Sequence, residues 1–222
     1  MNTMNSVELI PACYSDVVFI ARRMRDLDRK EILPLIFGES AENLAAGTIA
    51  VGGISTVALF GAEPVAAFGA YQARPLFWNV WMFATDQWPR VALSVTRNIL
   101  KVIRPQMIEA GAVRADCWSI DDHSVAHRWL ELLGAVREAT LEDYGPTRKK
   151  FHCYSWTLSR LEREANVLFP QTTVAAGNSA PAPAAGTDYQ GRSGSECRSG
   201  GRAAPAFGSQ GPGVYDPVGN YR

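Results

Sequence analysis

The sequence predicts a mixed α/β (α+β) fold: one domain on a mixed central sheet with helices on both faces, followed by a disordered tail. Three observations carry this expectation. Strand-like and helix-like segments follow in the order β-α-α-β-β-β-α-β-α-β-β-α, and a hairpin run before strand–helix–strand–helix–strand calls for both antiparallel and parallel pairing. The segment Phe77 to Thr85 is apolar on both alternating faces, as in a strand covered on two sides. The composition breaks sharply past residue 170, where Gly, Pro, Ala and Ser take over.

Val7 to Ala12 reads as a short strand ended by Pro11. Tyr14 to Ile32 reads as one helix, capped by Ser15, because Val18, Phe19, Ala21, Met24 and Leu27 recur at helical spacing. Its other face carries Arg22, Arg23, Arg25, Asp26, Arg29 and Lys30, a solvated face with opposite charges as neighbours. Ser40 opens a short helical segment through Ala46. Thr56 to Phe60 and Val65 to Tyr71 form a hairpin around Gly61-Ala62-Glu63-Pro64. After the central strand, Pro89 suits the first turn of a helix from about Arg90 to Ala110, which Gly111 closes. Pro105 falls inside that helix and is expected to kink or interrupt it near Val102, since proline has no N–H for the ladder. Val113 to Ser119 is the next strand. Asp121 or Asp122 caps a helix through Leu133, ended by Gly134. Val136 to Leu141 and Lys150 to Thr157 form the last strand pair, and Ser159 to Leu168 a last helix stopped by Pro170.

The domain is set at residues 1–170 and the tail at 171–222. Of the 46 residues from Gly177 to Arg222, 10 are Gly and 5 are Pro, with no Trp and no apolar period. Such a segment buries too little apolar surface to offset the entropy of ordering.

Charge excludes some functions. The chain carries 22 Lys and Arg against 22 Asp and Glu, so no bulk basic excess exists to neutralise phosphates, and no direct nucleic-acid binding is expected. A membrane span needs ~20 consecutive apolar residues. The weakly polar stretch Gly47 to Ala62 is too rich in Gly, Ser and Thr to be one, so no span is expected. Met1 to Glu8 lacks the basic-then-apolar pattern of a secretion signal. Cys13, Cys117, Cys153 and Cys197 show no CxxC spacing, which points to free thiols and no structural zinc. His123 and His127 stand at i and i+4, a spacing that suits a shared metal. The central Glu of HExxH is missing and no third ligand is identifiable, so a structural role at the helix start is expected and no metal site.

The run from His123 to Ala135, with Ala126, Glu131, Leu133 and Gly134 at their offsets, resembles the second motif of the GNAT (Gcn5-related N-acetyltransferase) fold. A small residue lets that helix pack closely on the sheet, and the glycine caps it. The resemblance implies a single GNAT-like domain. It also implies a phosphate loop for acetyl-CoA after the central strand, normally Gln/Arg-x-x-Gly-x-Gly/Ala, with Thr85, Trp88, Arg90 and His123 as candidate groove residues. Here that loop reads Asp86-Gln87-Trp88-Pro89-Arg90-Val91-Ala92, without glycine. The family's general acid, a Tyr before the Glu of the motif, corresponds to Leu130, which transfers no proton. Tyr144 and Tyr154 are the tyrosines that would have to substitute spatially, and Asp86 and Glu138 the candidate bases.

A narrower resemblance spans roughly Val7 to Thr157. Phe83-Ala84-Thr85-Asp86-Gln87-Trp88, the strand with Trp118, and His127 to Val136 are similar to the small internal virion or assembly protein of short-tailed phages related to the T-odd coliphages. That resemblance implies a catalytically degenerate domain acting by protein–protein contact in virion assembly or DNA ejection. Its partners are then other virion proteins, its location the host cytoplasm and then the virion interior, and it needs no cofactor. The alternative is an active N-acyltransferase that uses acyl-CoA.

Overall fold

The computed structural model describes residues 6–161. Seven strands form one sheet in the order β1-β2-β3-β4-β5-β7-β6. They are β1 (Val7–Pro11), β2 (Ile54–Phe60), β3 (Glu63–Arg74), β4 (Phe77–Ala84), β5 (Arg114–Ile120), β6 (Val136–Tyr144) and β7 (Lys149–Thr157). All neighbours are antiparallel except β4 and β5. The doubly apolar β4 is the middle strand, as its composition predicts.

Six α-helical segments cover the sheet: α1 (Tyr14–Arg22), α2 (Asp26–Ile32), α3 (Ala41–Ala50), α4 (Ala92–Asn98), α5 (Arg104–Glu109) and α6 (Ser124–Leu132). Helices α1 and α3 bury Val17, Ile20 and Leu44 against Val57, Ala67 and Phe83 on one face. On the other, Val91, Val95, Ile103 and Met107 from the α4–α5 region pack on Ala66, Phe68 and Trp78. Helix α6 sits beside α4, where the Trp129 indole donates to Thr96 Oγ1 at 2.9 Å, and packs Leu130 on Tyr154.

Two expectations are corrected and a third is met. The single helix Tyr14 to Ile32 is two helices. Met24 bridges to Thr85, and the Arg25 N–H donates to Ala84 O at 2.9 Å, so the chain leaves the helix to pair with the end of β4. The expected interruption near Val102 is present, as a change of helix type rather than a sharp kink. A π-helical turn, Ile99–Ile103, precedes α5 and places Pro105 in the first turn of that helix. The wider turn makes room for the ring and for the missing donor. The cap of α6 is His123 rather than Asp121 or Asp122, since its Nδ1 accepts from the Ala126 N–H at 3.2 Å.

Gly134 ends α6 as the sequence predicts. It adopts φ +85°, its N–H donates to Glu131 O, and Ala135 N–H donates to Leu130 O. This is a Schellman cap, and Leu130 and Ala135 supply its apolar contact. Residues 158–161 are helical. The remainder of the expected Ser159 to Leu168 helix and the whole of the expected tail lie outside the described residues. Among the described residues no helix is long and apolar enough to cross a membrane.

Gly134→Ala forces a side chain into the left-handed region, so it lowers unfolding free energy by about 1 kcal/mol in urea melts.

Candidate functional site

Strands β4 and β5 pair over three residues only, Phe77–Asn79 against Arg114–Asp116. Beyond these they part. The gap between them is the core of a cavity of about 340 Å³ that reaches both faces of the sheet. On the α4–α5 face its walls include Ile99, Leu100, Ile103 and Met107. On the other face they include Tyr71, Trp81, Trp118 and Tyr144.

Helix α2 spans the open end of this gap. Asp28 and Glu31, at i and i+3, share one side of it. Asp28 reaches β4, where its Oδ2 accepts from the Ala84 N–H at 2.8 Å. Glu31 reaches β5, where its Oε2 accepts from the Ile120 N–H at 3.0 Å and the Ser119 hydroxyl at 2.9 Å. The two carboxylates thus take backbone donors that a paired strand would otherwise use.

The two carboxylates have different surroundings. Asp28 is buried and fully engaged: Arg25 grips both its oxygens, and His123 Nε2 donates to Oδ1 at 2.9 Å. Because His123 Nδ1 accepts from Ala126, its ring proton sits on Nε2 and points at Asp28. Both ring nitrogens are therefore occupied. His127 turns elsewhere and donates to Ile120 O at 2.9 Å. Glu31 has only neutral donors. Burial raises its pKa above the usual carboxylate range, partly offset by the Ile120 N–H. The other carboxylate lining the cavity, Asp116, is paired with Arg114 at 3.1 Å. Glu31 is thus the one lining carboxylate, among the described residues, without a cationic partner.

Neither candidate base from the sequence lines the cavity. Asp86 is exposed in the turn after β4. Glu138 lies on β6, bound to Arg114 and Arg160, which hold its pKa down to about 2. A carboxylate that acidic is a poor proton acceptor at neutral pH. Tyr144 does line the cavity, its ring 5.7 Å from Trp118 and 4.9 Å from Phe151. Tyr154 is buried beneath α6, 5.5 Å from His127, and burial raises its pKa. Leu130 is buried against it.

The loop after β4 is folded in on itself. Residues Trp88–Arg90 form a 3₁₀ turn before α4. The Gln87 N–H donates to Thr85 Oγ1, Trp88 to Thr85 O, Arg90 to Gln87 O and Val91 to Trp88 O. Pro89 has no N–H, so the backbone donors from Gln87 to Val91 are all engaged. Trp88 is buried edge-on to Trp129 at 5.3 Å, and the Arg90 guanidinium lies 4.8 Å above the Phe60 ring. These residues do not fit the pyrophosphate of CoA: the turn lacks glycines, and its amides are spent.

No family model matches the sequence, and neither does any curated protein. Solved structures match the fold. The ribosomal-protein-S18-alanine N-acetyltransferase of Escherichia coli is 12% identical with a TM-score of 0.54, covering 69% of this chain and 94% of its own. Ard1 from Thermoplasma volcanium is 12% identical with the same TM-score, over 68% and 97%. A GNAT-family protein from Chromobacterium violaceum is 15% identical with a TM-score of 0.54, over 70% and 90%. At these identities the likeness concerns the fold.

Two substitutions separate the roles of the α2 carboxylates. Asp28→Ala leaves Arg25, His123 and the Ala84 N–H without their acceptor and lowers stability by about 3–5 kcal/mol. Glu31→Gln keeps an acceptor for Ile120 and Ser119 and removes a buried charge. The raised pKa of Glu31 stabilises the fold fully below about pH 4.5, and this is lost as pH rises through the folded value. The variant therefore unfolds like the native chain at pH 4 and at higher denaturant near pH 7. Together these features give a GNAT-like acetyltransferase fold with an open strand gap, one carboxylate in it without a cationic partner, and a closed turn after β4.

Proposed function

We propose that this chain is an N-acyltransferase that moves an acyl group from an acyl thioester to a primary amine, with Glu31 as general base. The observation that carries this reading is Glu31 itself, a carboxylate kept basic by burial, without a counter-cation, at the end of the parted strands. Fold likeness to acetyltransferases supports the same class.

An ammonium substrate gives one proton to Glu31. The neutral amine then attacks the thioester carbonyl, forming the C–N bond. The C–S bond breaks, and the leaving sulfur takes its proton from the nitrogen of the tetrahedral intermediate, because Leu130 has none to give. Glu31 passes its proton to solvent. The apolar gap holds the thioester and its arm. The closed turn at Gln87–Val91 offers the nucleotide end little.

In a second reading the chain is a non-catalytic component of a phage virion acting through contacts with other virion proteins; Leu130 and the closed turn favour its non-catalytic half, and the virion role rests on the sequence resemblance alone. It predicts the chain in purified particles and no change in melting temperature with millimolar acetyl-CoA.

Under the enzyme reading Glu31→Gln lowers kcat about 10²- to 10⁴-fold, and native kcat/KM rises with pH through the raised Glu31 value. Acetyl-pantetheine, which lacks the nucleotide, is used within about tenfold of acetyl-CoA in kcat/KM. Absence of thiol release with any amine, together with an unmoved melting temperature, contradicts this reading and favours the second.

A further inference from the structure

We infer that the amine this cavity selects is a small primary amine carried on a single aromatic body, an arylalkylamine rather than a polyamine. The inference rests on the acyltransferase reading for its chemistry but on separate residues for its selectivity. The two walls of the cavity differ. The α4–α5 side sets Phe68, Trp129 and Trp156 among the aliphatic Ile99, Leu100, Ile103 and Met107 and holds the cation Arg104. The opposite side is aromatic. Trp118 and Tyr144 stack with rings 5.7 Å apart and only 15° between planes, and Trp118 keeps 38% of its surface exposed. Tyr71 and Trp81 continue the aromatic wall along β3 and β4, and Leu35 closes it near the α2 end.

Charge decides between amine classes. A polycationic substrate needs several free carboxylates, one for each ammonium. The lining carboxylates are Asp28, Asp116 and Glu31, and the first two are already held by Arg25 and Arg114. One free carboxylate therefore serves one nitrogen. Aromatic faces attract both an ammonium, through the ring quadrupole, and an aryl body, through stacking. The volume of about 340 Å³ is at the small end for ligand cavities and is shared with the thioester arm, which limits the body to one aryl group.

The test uses the full chain and calorimetric titration without acyl donor, with tryptamine and spermidine as probes. Tryptamine is expected to bind at least about tenfold tighter than spermidine. Trp118→Ala and Tyr144→Phe serve as a pair. The first weakens tryptamine binding about tenfold and the second, which keeps the ring, leaves it unchanged. Melting curves confirm that both variants fold. Spermidine binding as tightly as tryptamine, or no binding of tryptamine, overturns the inference. A parallel assay of thiol release from acetyl-CoA keeps the two ideas distinct. Tryptamine bound but never acetylated contradicts the acyltransferase reading alone. Spermidine acetylated without tryptamine binding contradicts this inference alone.

Discussion

Parting two neighbouring strands removes the acceptors from the backbone N–H groups along their facing edges, and a buried amide without an acceptor costs free energy. Here Asp28 meets that demand at the end of β4, and Glu31 meets it at the end of β5. Both come from one side of a single short helix. The rest of the site depends on this bracing. It closes the gap at one end and anchors His123, and through it the first turn of α6. It also explains why α1 and α2 are separate, because α2 has to lie across the strand ends rather than continue along α1.

The same bracing gives the two carboxylates unequal chemistry. Asp28 shares its charge with a guanidinium, an imidazole N–H and an amide, so it is a structural anion. Glu31 has only an amide and a hydroxyl, so burial dominates and its proton is held more tightly. One helix thus supplies a rigid strut and a carboxylate of raised pKa three residues apart. The folded turn at Trp88–Arg90 works in the other direction. Its amides bond inward, and Trp88 packs edge-on against Trp129. The closed turn and the open gap thus lie side by side after β4, one with its amides satisfied internally and the other braced by carboxylates.

Much of the fold was legible in the sequence because it rests on local rules. The apolar β4, the β2–β3 hairpin and the Gly134 cap follow from alternation, turn chemistry and conformational freedom. The helix break at Arg23–Arg25 was not legible, since its cause is pairing with Thr85, some sixty residues away in sequence. The site was hidden for a related reason. The stripe Val17, Ile20, Ala21, Met24 continues at helical spacing to positions 28 and 31, but the residues there are Asp and Glu. Carboxylates read as solvated, and only strand ends distant in sequence show why these face inward. Acid residues in the continuation of a buried stripe were the available signal. Glu138 misled in the opposite way: its proximity to Arg114 and Arg160 depends on the pairing of β6 and β7 and the chain beyond.

The most direct test is the ionisation of Glu31, read from its side-chain carboxyl carbon by NMR in chain labelled at glutamate, with Glu31→Gln assigning the signal. The account predicts a midpoint clearly above the ordinary glutamate value of about 4.3. It also predicts a further rise in Ser119→Ala, which removes a hydrogen bond to the charged form. A Glu31 signal titrating at or below the ordinary value, unmoved by loss of the Ser119 hydroxyl, contradicts a buried, unpaired base between the parted strands.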